Sequence, residues 1–264
     1  MQNLKSQSCA VRFLQDRGLL HRTRRCPKGH LMSLHTNQVR SPRWRCRSCN
    51  FEISALKGTF FTNMRVPLHK IITLIYFYSN DISLARASEF AGVNAGHTGS
   101  RIVRKVLNCC AQINTQFAPE AGTVELDESL IGNEIVLGGT FLETGHVFAK
   151  VIARRNQDCI FPVLKRYISD YVTVVTDGYR AYKNLSKYNP RWTHHVVVHR
   201  RHYVDPVTRA TTNHVESFWS ALKRVYRGQN LDDFLTVETF KRNTRPNDQF
   251  NAVLEAISEV YSLN

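Results

Sequence analysis

The chain has 264 residues, 36 Lys and Arg against 21 Asp and Glu, and a formal charge of +15. An apolar share of 42% suffices for a buried core and excludes a wholly disordered chain. The longest apolar run, Ile71 to Tyr78, falls far short of the roughly 20 residues of a membrane span. The polar opening from Met1 to Ala10 speaks against a secretory signal, and the charge predicts a polyanionic partner, nucleic acid first.

The positive charge is concentrated at the front. Residues 1–70 hold 14 Lys and Arg against 2 acids, whereas residues 120–264 hold 18 against 17. This predicts a basic module that grips phosphates, followed by a charge-balanced body with another task. Residues 1–23 form a basic lead-in, with Val11, Phe13 and Leu14 on a brief helix.

Residues 24–60 carry a metal-ligand pattern. The seven cysteines are odd in number and scattered, which argues against a disulfide framework. Cys46-Arg-Ser-Cys49 presents two thiolates on one turn, as a tetrahedral Zn²⁺ requires. The first knuckle, Cys26-Pro-Lys-Gly-His30, has Gly29 where a second Cys is expected, and His30 supplies the fourth ligand, with His35 the alternative. Fifteen residues between the knuckles suit a zinc ribbon held by short strands. Arg43, Arg45 and Arg47 beside the second knuckle are expected DNA contacts.

Residues 66–118 read as a helical module. Pro67 opens a helix in which Leu68, Ile71, Ile72 and Ile75 recur at helical spacing. Ser83 caps a second helix ending at Ala91, and Gly92 turns the chain. The next helix is apolar at Ile102, Val103, Val106 and Leu107, with Arg101, Arg104 and Lys105 on other faces. Helix, turn and basic helix is the order of a helix-turn-helix, and those three cations are expected to meet DNA.

Residues 120–245 change texture to a mixed α/β body, and residues 246–264 form a helical tail. Thr123 to Asp127, Ile135 to Phe141 and His146 to Ala153 read as strands, the last two as a hairpin. A helix over 158–169 precedes a buried strand from Tyr171 to Asp177. A helix over Gly178–Leu185, a strand over His194–His199 and a strong helix over Asn213–Tyr226 follow.

Three acids stand out in this body. Asp127 and Asp177 close strands, and a carboxylate at a strand's C-terminal end points into the crevice where open α/β sheets bind ligands. Two such groups suit Mg²⁺, which takes a few carboxylates together with phosphate oxygens. Glu216 lies beside the apolar stripe of Val215, Phe218, Trp219 and Leu222. Lys223 and Arg227, seven and eleven residues on, share its helix face and are expected to hold a phosphate backbone. Plainer readings exist: Asn213 with Glu216 makes a capping box, and strand-end aspartates serve turns.

The sequence resembles the Merlin-type DNA transposases and their ISXO-like insertion-sequence relatives. The resemblance rests on Cys26, Cys46 and Cys49, the Lys57-Gly-Thr-Phe-Phe61 segment and Val124-Glu-Leu-Asp-Glu128. It extends to Val175-Thr-Asp-Gly-Tyr-Arg-Ala-Tyr182, Val198-His199, Tyr203-Val-Asp-Pro206 and Thr212 to Arg224. It implies a ribonuclease-H-like catalytic domain preceded by a zinc ribbon and a helix-turn-helix-like module. It implies an Asp-Asp-Glu triad of Asp127, Asp177 and Glu216, which holds two Mg²⁺ or Mn²⁺ ions, with His199 and Asn213 in support. Cleavage and strand transfer at the terminal inverted repeats of double-stranded DNA follow, by a homo-oligomer assembled on DNA and without a membrane. The implied compartment is the nucleus in a eukaryotic host, which is favoured, or the bacterial cytoplasm and nucleoid.

The chain departs from the family in three places, the first being the second Cys missing from the Cys26 knuckle. The stretch between Ile131 and Gly138 is short, and Thr140-Phe-Leu-Glu143 replaces the usual Glu-Arg. These departures support the alternative of a catalytically inactive or domesticated, transposase-derived DNA-binding protein.

Overall fold

The computed structural model of the chain describes residues 6–36, 41–197, 211–245 and 248–263. It divides the chain into two units, residues 1–110 with 246–264, and residues 111–245.

The first unit opens with helix α1 (Gln7–Asp16), capped by the Ser6 hydroxyl, which accepts from the Cys9 N–H. Strands β1 (Ser33–His35), β2 (Arg43–Arg45) and β3 (Glu52–Ser54) form an antiparallel sheet in that order. Its core is small: Cys26, Met32, Trp44, Cys46 and Ala55, with Leu34, Phe51 and Ile53 packed at the edge. Helix α2 (Leu68–Ser79) follows Pro67, which offers no capping side chain, and the Gln7 side-chain oxygen accepts from the Leu68 N–H instead.

Helix α3 (Leu84–Ala91) starts at Ser83, whose hydroxyl accepts from the Arg86 N–H, and ends at Gly92. Gly92 has φ of 60°, the left-handed conformation that terminates helices and favours glycine. The Asn94 side chain accepts from the His97 N–H and opens a π-helical turn, Ala95–Gly99, that leads into α4 (Ser100–Asn114). Residues 246–264 do not stand apart as a tail: they belong to this first unit. Phe250, on the C-terminal helix Gln249–Val260, meets the ring of Tyr76 on α2 at 5.2 Å between centroids.

The second unit is built on strands β4 (Gly122–Ile131), β5 (Glu134–Phe141), β6 (Val147–Ile152), β7 (Val172–Asp177) and β8 (Thr193–Val197). Their order is β6-β5-β4-β7-β8; β4, β5 and β6 pair antiparallel, and β4, β7 and β8 pair parallel. Three antiparallel strands continued by two parallel ones, with the first strand central, is the ribonuclease-H-like arrangement. Helix α5 (Gln157–Tyr167) covers one face, where Ile160 and Leu164 meet Val124, Leu126 and Val174. A short helix α6 (Leu185–Tyr188) precedes β8. Helices α7 (Asn213–Val225) and α8 (Leu231–Asn243) cover the other face, where Val215, Phe218, Trp219 and Leu235 meet Ile131, Val136 and Val147. The helix Gln249–Val260, α9, completes the chain.

Three sequence expectations need correction. Asp127 does not close its strand; β4 runs on to Ile131, because its pairing with β5 continues to Ile131 opposite Glu134. The segment expected as a helix over 178–185 is a 3₁₀ turn, Arg180–Tyr182, followed by α6. Helix α7 ends at Val225, so Arg227 lies beyond it, its guanidinium donating to the carbonyls of Arg224 and Tyr226.

Gly138 pairs across the sheet with Asp127. A Cβ there would lie 2.5 Å from the Trp219 ring and 2.6 Å from the Phe148 carbonyl oxygen. The backbone oxygen cannot retreat as a side chain could. Gly138→Ala is therefore expected to lower stability by about 1–3 kcal/mol, the usual cost of overpacking. Thermal unfolding checks this; an unchanged melting curve would mean that the ring and strand have room to give.

Candidate active site and metal centre

The ribbon turns bring Cys26, His30, Cys46 and Cys49 together. One ligand atom from each lies within 4.8 Å of all the others. Cys26 Sγ lies 3.6 Å from His30 Nδ1 and 3.6 Å from Cys49 Sγ, and Cys46 Sγ lies 3.8 Å from His30 Nδ1. Four donors about 2.3 Å from a central tetrahedral ion are separated by roughly these distances, so the set fits Zn²⁺. Burial works to raise the Cys46 thiol, but hydrogen bonding from Cys49, Ser48 and Cys26 pulls it down to about 6. A thiol so lowered is ready to bind a metal as thiolate. The irregular first knuckle therefore brings His30 to the three thiols.

The carboxylates gather on the α7 side of the larger sheet. Parallel pairing of β4 with β7 sets Val124 against Val174 and Glu125 against Val175. That pairing ends at Glu125 and Val175; Asp127 and Asp177, the last residue of β7, each stand two residues beyond it on the two neighbouring strands. Glu216, in the first turn of α7, completes the group. Burial raises the Asp127 carboxyl, and the charges of Asp177 and Glu216 raise it further; the Glu128 backbone and the Trp219 indole oppose the shift. Asp127 thus feels both partners as like charges, an arrangement that a divalent cation would relieve. Among the described residues, the Cys/His set alone is close enough to grip one ion directly.

Each carboxylate has its own local anchor. Trp219 Nε1 donates to Asp127 Oδ2 at 3.1 Å, across the space that Gly138 leaves open. Asp177 Oδ1 accepts from the Tyr179 N–H at 2.9 Å, an Asx turn that ends the strand. Glu216 Oε1 accepts from the Thr212 hydroxyl at 3.2 Å. The expected capping box is absent: Thr212 takes the N-cap position, and the Asn213 N–H donates to Thr211 Oγ1. The cap comes instead from Glu125 on β4, which sequence reading passed over. His199 lies outside the described residues.

Glu128 is buried on β4 with 7% of its surface exposed, and burial pushes its carboxyl up to about 7. The charges of Asp127 and Asp177 add to this, against Tyr182 and Arg155. A carboxyl raised from its ordinary 4.5 holds its proton more tightly in the folded chain. Its contribution is whole below about 4.5 and is lost as pH rises through about 7. Glu128→Gln should therefore match the parent near pH 4 and exceed it in stability by up to a few kcal/mol at pH 8. Melting curves in EDTA across that range check this; a pH-independent difference would overturn it.

The cations expected to meet DNA fall into different surroundings. Arg47, Arg101, Arg104 and Lys223 are exposed. Arg43 and Arg45 both pair with the Glu52 carboxylate across β2 and β3, the latter at 3.3 Å. Lys105 is turned inward: its ammonium donates to the Phe60 carbonyl and lies over the rings of Phe60 and Tyr261, at 4.8 and 5.1 Å. Burial lowers its pKa, and its contacts serve packing in the first unit.

The second unit is thus a ribonuclease-H-like sheet with an aspartate on each of two neighbouring parallel strands and a glutamate on the helix beside them. Residues 134–232 match the family described as the ISXO2-like transposase domain. The match covers well under half of the chain, and over that segment the chain is similar to this family. It takes in Asp177 and Glu216 and begins after Asp127. Among solved structures, the catalytic core domain of BIV integrase is similar at 18% identity and a TM-score of 0.37, over 48% of this chain and 86% of that one. No curated protein matches the chain. No helix among the described residues is long and apolar enough to cross a membrane.

Proposed function

We propose that the chain is a DNA transposase of the Merlin/ISXO-like type, with Asp127, Asp177 and Glu216 as its catalytic triad. The observation that supports this reading is the parallel pairing of β4 and β7, with Asp127 and Asp177 each two residues beyond its last pair and α7, which carries Glu216, tied to Asp127 through Trp219. Two Mg²⁺ or Mn²⁺ ions held there would supply an activated oxygen nucleophile and charge stabilisation for an in-line displacement at phosphorus. The chain's own residues prepare that site. Trp219 orients Asp127, the Asx turn fixes Asp177, and Thr212 steadies Glu216. The Cys26, His30, Cys46 and Cys49 set holds Zn²⁺ and shapes the ribbon. The ribbon and the α3–α4 pair, with Arg47, Arg101 and Arg104 outward, bind the terminal inverted repeats, and Lys223 holds the phosphate backbone near the triad. Two copies act on two element ends, in the nucleus of a eukaryotic host or the nucleoid of a bacterial one.

The test is strand cleavage and joining of labelled DNA carrying the repeats that flank the coding sequence, with Mn²⁺ supplied. Nicks at the repeat ends are expected, leaving 3′-hydroxyls that join a target. Binding without any cleavage under Mg²⁺ or Mn²⁺ would overturn the catalytic reading. It would favour a transposase-derived DNA-binding protein, the reading supported by the tight connection between β4 and β5, where Ile131 pairs directly with Glu134.

A further inference from the structure

The Glu125 side chain is fully buried, yet it carries a carboxylate. Burying such a group without partners is costly, so its partners define its purpose. Glu125 Oε2 accepts from the backbone N–H of His214 at 2.8 Å and of Val215 at 3.2 Å. Glu125 Oε1 lies 2.8 Å from His214 Nδ1, and the His214 side chain is 59% exposed. These are the opening residues of α7, whose N-cap Thr212 makes no side-chain capping bond. The unpaired N–H groups of a helix start, and its positive dipole end, are thus answered by a carboxylate from a strand 89 residues earlier.

We propose that Glu125 is a positioning residue that sets Glu216 against Asp127 by latching α7 to β4. The proposal rests on the assignment of Asp127 and Glu216 to one metal-binding site. Glu125 and Asp127 stand two apart on β4, on the same face. Glu216 immediately follows the two residues whose N–H groups Glu125 holds. A second tie, from Trp219 Nε1 to Asp127 Oδ2, joins the same helix to the same strand one turn further on. Both ties restrain sliding and rotation of α7 on β4, which limits how far Glu216 has to move toward Asp127 when an ion arrives. A ligand set held ready in this way spends less binding energy on ordering itself.

The experiment compares Glu125→Leu and Glu125→Gln with the parent chain. Leucine fills the space without accepting a hydrogen bond. Glutamine keeps an acceptor for the helix N–H groups and can donate to His214 Nδ1. Glu125→Leu is expected to weaken Mn²⁺ binding, followed by calorimetry, by about 10–100-fold. Cleavage at limiting Mn²⁺ should fall with it and recover in part at high Mn²⁺, while binding of uncleaved DNA stays unchanged. Glu125→Gln should restore most of the loss, which a merely space-filling role would not require.

Amide hydrogen exchange reads the latch without catalysis. The His214 and Val215 amides should be protected in the parent and exchange about tenfold faster in Glu125→Leu. Rapid exchange at both amides in the parent overturns the latch, even if Glu125→Leu does not fold. Parental Mn²⁺ affinity in a folded Glu125→Leu overturns the positioning role. A parent that binds Mn²⁺ but never cleaves DNA overturns the transposase assignment and leaves the latch standing on its exchange and binding results. A parent that binds no Mn²⁺ overturns both.

Discussion

Asp127→Asn and Asp177→Asn are each expected to reduce metal-dependent strand cleavage by at least about 1,000-fold while leaving DNA binding intact. Metal ions supply several kcal/mol of charge stabilisation in phosphoryl displacement, and each 1.36 kcal/mol is a factor of ten. An amide replaces a negative ligand by a neutral one that hard divalent cations bind poorly. The exposed cations assigned to DNA, Arg47, Arg101, Arg104 and Lys223, are untouched by either change. The Asp127 change should nevertheless raise stability. Burial and the charges of Asp177 and Glu216 both disfavour ionised Asp127. Asparagine removes that repulsion and keeps an oxygen to accept from Trp219 Nε1. In EDTA, Asp127→Asn should melt above the parent, the opposite sign from its effect on activity. Cleavage by both variants at parental rate would remove the triad from the mechanism.

Loss of the ribbon metal is the second large expected effect. The three ribbon strands are three residues each, and among the described residues their core has five buried ones. A sheet of this size does not hold itself together in water. Binding of a structural Zn²⁺ is worth about 10–16 kcal/mol at neutral pH, and that energy becomes folding energy here. Cys49→Ser should therefore lose bound zinc, open residues 24–57 to protease, and abolish binding of the repeats. The ribonuclease-H-like unit has separate cores on both faces of its sheet and should keep its own melting transition. Elemental analysis giving one zinc per parental chain and none in the variant checks the first step. Full protease resistance in a zinc-free variant would mean that the ribbon stands on packing alone.

These two sites differed in how far the sequence alone exposed them. Cys46-Arg-Ser-Cys49 and Cys26 to His30 are turns, and a turn is encoded by neighbours, so the cluster of four donor atoms was readable before any fold. Asp177 was placed correctly at a strand end, because the β-branched run before it and Gly178 after it are local signals as well. Asp127 was read as a strand end and lies inside one; the pairing that extends β4 to Ile131 comes from β5, and no local pattern announces it. The capping box expected at Asn213 fitted the local pattern and still lost to Glu125, a stronger acceptor from the sheet.

The sequence by itself determined the basic front, the turns that carry Cys and His, the helical periods and the identity of the acids. Each depends on residues within a few positions of one another. Tertiary structure decided which of these groups meet. It paired Asp127 with Trp219 across 92 residues and made Gly138 obligatory as the space for that ring. It turned Lys105 inward and placed α9 in the first unit, where Phe250 meets Tyr76. It gave a buried glutamate the task of starting a helix. Long-range contacts of this kind are chosen by the simultaneous satisfaction of buried donors, charges and volume, and a linear pattern does not carry that information.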